Sequence, residues 1–244
     1  MVKIIKKILI TNDDGYKAIG INLLKNILIN YSQEVYTVAP LVNQSGAGRS
    51  ITLGTQIKYN KISNSDWVVH GTPTDAIIFA LNKIFINDKP DFVFSGINAG
   101  SNVGDEISYS GTVGAAFEGA LRGIPSVALS QAGGTNEENT FEVSKCFLPT
   151  IMTKLSKIFS DNSLLYNINF PNCDKVDVKG MSYTNCAHQK ISDELIVNSE
   201  ESFFKIGKIN IIEKKNIKND YLELKNNNIT MTPLSINLTH KNCS

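Results

Sequence analysis

The sequence predicts an α/β fold: a mainly parallel sheet covered by helices on both faces, followed by a β-rich C-terminal extension. Two observations predict it. Apolar strand-like runs alternate with helical patterns through about residue 160, the order that a parallel sheet with crossover helices requires. Beyond that point the chain is rich in Asn and Lys and carries β-like fragments, Phe203–Ile206 and Lys208–Ile212. The division is drawn between a core over residues 1–165 and an extension over 166–244.

The elements follow in order. Ile8–Thr11 reads as a buried strand, ended by the polar turn Asn12-Asp13-Asp14-Gly15. Ile21, Leu24, Ile27 and Leu28 recur at helical spacing. Glu34–Ala39 is a second strand, stopped by Pro40, and a loop runs from Leu41 to Ser50. Ile51–Tyr59 and Trp67–His70 read as extended pieces of a hairpin. Gly71-Thr72-Pro73 opens a helix, with Thr72 as N-cap and Pro73 in the first helical position. Asp91–Ser95 is another apolar strand, and a glycine-rich loop covers Gly96–Gly111. Thr112–Arg122 reads as a helix of small residues, Pro125–Ser130 as a strand and Phe141–Phe159 as a longer helix. Tyr166–Phe170 adds a strand, and Asn226-Asn227-Asn228 reads as a turn.

Composition narrows the function classes. The 244 residues are 42% hydrophobic, enough for a sizeable core. Lys plus Arg is 24 against 23 Asp plus Glu, a net charge of +1, which is not the balance of a dedicated nucleic-acid binder. Cys146, Cys173, Cys186 and Cys243 form no C-x-x-C pair, so free thiols in a reducing compartment are expected. Lys6 and Lys7 interrupt the apolar start, which argues against a signal peptide, and no run is long enough to span a membrane. The expectation is a cytoplasmic protein with neither nucleic acid nor membrane as partner.

In open parallel sheets, ligands bind beyond the carboxyl ends of the strands. The chemically interesting residues follow predicted strands. Asp13 and Asp14 follow the first. Adjacent carboxylates repel unless a cation or proton intervenes, and a hard divalent ion prefers such oxygen ligands. Ser45 lies in Asn43-Gln44-Ser45-Gly46-Ala47-Gly48. This is not a dinucleotide fingerprint, since Ile51 stands where the third glycine belongs; that disfavours a nicotinamide oxidoreductase. Asn98 and Asn102 sit in a loop with glycines at every fourth residue, offering amide oxygens to a metal and amide N–H groups to a phosphate. Ser110 or Thr112 can cap a helix whose free N–H groups form an anion site. Gly114, Ala115 and Ala116 are expected to allow tight helix–sheet packing. His70, His188 and His240 share no motif, and none is expected to be essential.

Together these segments resemble the SurE family, the stationary-phase survival 5′-nucleotidases. The matching pieces are Ile10–Gly15, Asn43–Gly48, Gly71–Asp75, Ser95–Gly104 and Tyr109–Ala116, with Thr232-Pro233-Leu234 resembling the family's closing motif. The resemblance implies a Rossmann-like three-layer α/β/α core and a C-terminal segment exchanged between the subunits of a homodimer or homotetramer. It implies one divalent ion per subunit, Mg²⁺ or Mn²⁺, held by Asp13, Asp14, Ser45 and Asn98. It implies hydrolysis of nucleoside 5′-monophosphates, and of 3′-monophosphates or short polyphosphate. On that basis Asn102, Ser110, Gly111 and Thr112 are expected on the phosphate, with Asp14 and Asn102 as catalytic residues and Asp14 the candidate for taking the water's proton. The rival expectation is a non-catalytic nucleotide sensor on the same fold. Two features depart from the family: Leu41-Val42 replaces a polar pair after Pro40, and the approach to Thr232 is short and Asn-rich.

Overall fold

β1 (Ile5–Thr11) is apolar on both faces, with Ile8, Leu9 and Ile10 wholly buried, and this places it inside the sheet rather than at an edge. The computed structural model describes residues 5–135, 137–159, 163–188, 190–198, 202–211 and 218–239. β1 pairs in parallel with β2 (Ser32–Pro40) on one side and β5 (Phe92–Ala99) on the other. Beyond β2 lie β4 (Asp66–Val69) and, antiparallel at the edge, β3 (Tyr59–Lys61). Beyond β5 lie β6 (Ser126–Gln131) and β7 (Leu165–Phe170), both parallel. The six parallel strands thus stand in the order β4-β2-β1-β5-β6-β7, the doubly wound Rossmann arrangement. Strand order reverses between β1 and β5, so the ligand crevice of this topology opens at Asp13, Asp14 and Asn98.

Alternate residues feed the two faces. Ile8 and Ile10 pack with Ile21 and Leu24 of α1 (Ile19–Leu28) and with Leu148 and Ile151 of α4 (Glu142–Thr153). Leu9 packs the other way, with Ala76 and Ile77 of α2 (Pro73–Phe79) and Ala115 of α3 (Gly111–Leu121). A Cβ at Gly20 would lie 1.9 Å from the Ile97 carbonyl oxygen, so glycine is what lets α1 rest on β5. Gly114, expected to serve helix–sheet packing, instead lets α3 lie against the Asn43–Gly48 loop, its Cβ position being 2.4 Å from the Gly48 carbonyl oxygen.

The chain beyond residue 165 continues the sheet. β7 starts at Leu165, β11 (Asn228–Pro233) runs antiparallel to it, and β8 (Gly180–Tyr183) pairs in parallel with β11. β9 (Lys190–Asn198) and β10 (Phe203–Ile211) form a separate two-stranded ribbon, in which the two apolar fragments of the sequence become one strand. α6 (Asp220–Lys225) precedes β11, with Asn226 and Asn227 making the turn between them.

Three local expectations are corrected. The predicted glycine-rich loop is shorter, because β5 resumes pairing with β6 through Asn98 and Ala99 after a register shift, and Gly104–Tyr109 winds into a 3₁₀ helix. The long helix over Phe141–Phe159 breaks at Lys154 into α4 and α5 (Leu155–Ile158). Residues 51–58 form no strand; the first of them are held by Asp75 rather than by a ladder.

Candidate active site

The turn after β1 is closed by its own side chains. The Asn12 amide donates to the Gly15 carbonyl at 2.9 Å, and Gly15 takes φ +100°, a left-handed conformation suited to glycine. Asp13 is buried at 4% exposure. Its carbonyl accepts the Gln44 N–H at 2.7 Å, drawing the Asn43–Gly48 loop over the turn. Its carboxylate accepts the Thr112 hydroxyl from the first turn of α3. That approach depends on Gly111, where a Cβ would lie 2.9 Å from the Asp13 Cβ. Asp14 reaches the other way: its carboxylate accepts the Ala99 N–H at 3.0 Å, at the end of β5. The pair therefore ties β1, β5 and α3 together at the switch point.

This closeness has an electrostatic consequence. Burial pushes the Asp13 pKa up to about 6, the Thr112 hydrogen bond opposes the rise, and the Asp14 charge adds to it. Asp14 is also raised by burial, against the Ala99 N–H bond that lowers it. No Lys, Arg or His forms an ion pair with either carboxylate among the described residues. The Asn98 amide donates to the Gly100 carbonyl at 2.9 Å, which leaves its oxygen as the open atom. Ser45 is exposed on its loop, its N–H bonded to the Asn43 side chain at 2.7 Å. The buried Asn12 side-chain oxygen has no partner among the described residues. Paired carboxylates without a counter-charge, with Ser45 next to the Gln44 that bonds Asp13 and Asn98 next to the Ala99 that bonds Asp14, fit a hard divalent cation.

On the phosphate side, Ser110 caps α3, its hydroxyl accepting the Val113 N–H at 3.1 Å. The Ser110 and Thr112 hydroxyls are thus both engaged within the protein, and what this turn presents to an anion is the N-terminal end of an eleven-residue helix. Asn102 is a fastener. Its N–H donates to Asn169 at 2.8 Å, its amide donates to the Ser130 hydroxyl at 2.8 Å, and its carbonyl accepts the amides of Asn167 at 2.7 Å and Asn169 at 3.0 Å.

Two anchors have no counterpart in the sequence reading. Asp75 closes a capping box with Thr72 and also accepts the Thr52 N–H at 2.9 Å and hydroxyl at 2.7 Å, so α2 holds the far end of the Ser45 loop. The Gly-Thr-Pro-Thr-Asp motif signalled the cap but not the second grip. Asp220, wholly buried, accepts N–H groups from Gly104 at 2.9 Å, Ala187 at 2.8 Å and Tyr221 at 2.9 Å. No local pattern marks it. His70 meets Asn60 and His188 meets Asp105, each at 3.1 Å, while His240 lies outside the described residues.

The Survival protein SurE family matches residues 8–193. The 5′-nucleotidase SurE of Wolbachia pipientis subsp. Culex pipiens (strain wPip) is 41% identical over 234 residues, covering 95% of this chain and 89% of that protein. The 5′-nucleotidase SurE of Paramagnetospirillum magneticum (strain ATCC 700264 / AMB-1) is 35% identical over 238 residues, covering 96% and 92%. The crystal structure of the SurE protein from Aquifex aeolicus is similar with a TM-score of 0.83 at 33% identity, over 96% of this chain and 95% of that one.

Proposed function

This chain belongs to the SurE family, and from that premise we propose that it is a 5′-nucleotidase dependent on a divalent cation, releasing phosphate from nucleoside 5′-monophosphates. The observation that carries the cation dependence is the buried Asp13 beside Asp14, both lifted by burial and neither ion-paired among the described residues. Asp13, Asp14, Asn98 and Ser45 would hold Mg²⁺ or Mn²⁺. When bound, such an ion neutralises phosphoryl oxygens and makes water a better nucleophile near neutral pH.

The chain's own groups supply the rest. The amino end of α3 meets Asp13 through Thr112, and Ser110 takes the Val113 and Gly114 N–H groups, so the helix dipole, with the Gly111 N–H, is what stabilises the phosphoryl oxygens as negative charge redistributes during in-line attack. Thr112 orients Asp13 through its hydroxyl. Asn102, its amide spent on Ser130, serves by keeping the segment after β5 in register with β6 and β7. Asp14 accepts the Ala99 N–H on one carboxylate oxygen, which keeps a second lone pair for the cation, and takes the water's proton on the other. Activity on 3′-monophosphates and short polyphosphate belongs to the same proposal.

The test is turnover of AMP and GMP with EDTA and then with added Mn²⁺, alongside calorimetric Mn²⁺ binding. We expect EDTA to abolish turnover and Mn²⁺ to restore it. Binding of Mn²⁺ and nucleotide without phosphate release would mean a sensor instead.

We also propose a cytoplasmic homodimer or homotetramer. No described helix is long and apolar enough to cross a membrane. The ribbon exposes Leu195, Val197, Phe203, Phe204 and Ile206, each more than half accessible, a patch that a second chain would cover. Light scattering that gave a 26.8 kDa monomer at micromolar concentration would refute the assembly.

A further inference from the structure

A cavity of about 390 Å³ opens between the Asn98–Gly104 loop, Ala132 just past β6, and α6. Its size is that of a small-molecule site. It is also a built site. Asp220 grips the N–H groups of Gly104, Ala187 and Tyr221, and all three of those residues line the cavity. One buried carboxylate thus fixes three walls drawn from distant parts of the chain.

The cavity adjoins the proposed reaction centre. Ser101 lines it and Asn98 lies three residues earlier, at most ~10 Å of extended chain. Ala132 places it over β6, the strand next to β5. A substrate with its phosphate at Asp13 and Asp14 therefore has this space within reach of its other end.

The lining chemistry narrows that other end. Val103, Ala187, Leu224 and Tyr221 give apolar lining suited to a flat ring, in a cavity that Asp105, Lys190 and Lys225 also line, with the Lys225 ammonium 5.9 Å from the Tyr221 ring centre. Glu106 adds a half-buried carboxylate with no ion-pair partner among the described residues. Burial raises its pKa, the Val103 N–H lowers it, and the Asp220 charge adds to the rise, so a ligand offering donors would relieve it. An ionised carboxylate only accepts hydrogen bonds. Guanine presents a ring N–H and an amine side by side, one for each carboxylate oxygen. Adenine sets its amine beside a ring nitrogen whose lone pair faces the carboxylate.

We propose that this cavity holds the nucleoside part of the substrate, with the base against Tyr221 and Leu224, and that Glu106 selects guanine over adenine. The proposal rests on the nucleotidase reading above and is tested apart from it. Calorimetry of the full chain with guanosine and adenosine, neither carrying a phosphate, reads the cavity without turnover. Guanosine is expected to bind at least about tenfold more tightly than adenosine, and Glu106→Gln to bring the two within about threefold, since a site that leaves a buried polar group unpaired discriminates strongly. A second variant, Leu224→Trp, narrows the cavity where the base is placed and should weaken guanosine at least tenfold while the melting curve stays cooperative. No nucleoside binding at millimolar concentration, or a ratio that Glu106→Gln leaves unmoved, overturns the assignment. Hydrolysis of p-nitrophenyl phosphate with Mn²⁺ is measured in parallel. If it proceeds while neither nucleoside binds, the cavity proposal fails and the phosphatase reading stands; if guanosine binds but no phosphomonoester is cleaved, the reverse holds.

Discussion

On the β1 side, the candidate site is assembled from motif-bearing segments: the Asn12–Gly15 turn, the Asn43–Gly48 loop and the start of α3 at Ser110–Thr112. On the β7 side, the walls come from single residues far apart in sequence. Asp220 holds Gly104 across 116 positions, and Asn169 holds Asn102 across 67. The first side is close-packed backbone, where Gly111 admits the Asp13 carboxylate to a helix end. The second is a frame of buried hydrogen bonds around a cavity. Chemistry needs charges fixed to a fraction of an ångström and so sits on rigid strand ends. Recognition needs a shaped space, which several chain segments can enclose.

If this contrast is sound, damage on the β1 side should lower kcat and damage on the β7 side should raise KM. The largest effect is expected for Asp13→Asn and Asp14→Asn. Each should lower kcat by about a thousandfold or more, roughly 4 kcal/mol of transition-state stabilisation. Melting with and without Mn²⁺ should show that the parent gains stability from the ion and the variants do not. Gly111→Ala comes next. Its Cβ would press on Asp13 at 2.9 Å and shift the helix end, so a kcat loss of about 10²–10³ is expected in steady-state assays. A Gly111→Ala enzyme that turned over normally would break the claim that packing sets the chemistry.

Asp220→Asn probes the other side. An amide there faces three N–H groups with one acceptor oxygen instead of two, at a cost of about 1–3 kcal/mol. The melting temperature should fall by several degrees. KM for GMP should rise about tenfold with kcat changed less than threefold. A kcat loss like that of Gly111→Ala would mean that the two sides are one unit.

The smallest effect serves as a control away from both. Burial pushes Asp66 up, but hydrogen bonds from Lys25 and Ser63 leave it below its ordinary value. A lowered carboxylate contributes stability above its unfolded pKa and loses it as pH falls through the folded value. Lys25→Met should therefore cost about 1 kcal/mol or less at neutral pH and nothing once Asp66 is protonated, with kinetics unchanged. Urea titrations at pH 7 and at about pH 2 would show it.

The same contrast explains what was legible beforehand. Asp13, Asp14 and Gly111 stand in short motifs whose chemistry is local, and the alternation of strands and helices points to a mainly parallel sheet without giving its strand order. The 3₁₀ helix over Gly104–Tyr109 was hidden because glycine and polar residues give no periodic signal. Thr112 and Asn102 stand out in the sequence, but composition does not say where a hydroxyl or an amide is spent; one turns to Asp13 and the other to Ser130. Asp220 was invisible because its partners come from elsewhere in the chain.

β11 (Asn228–Pro233) lies between β7 and β8 in the sheet, although β7 and β8 both precede it in sequence. During synthesis the N-terminal strands are made first and can begin to pair, while β7 waits with one edge open and β8 has no neighbour at all. An open strand edge is a template for the wrong partner. The interval between making Phe170 and making Pro233, several seconds at ~5–20 residues per second, is therefore the nascent chain's period of greatest exposure to aggregation. Because β11 follows β7 at a distance in sequence, the native edge forms only after that intervening stretch has been made.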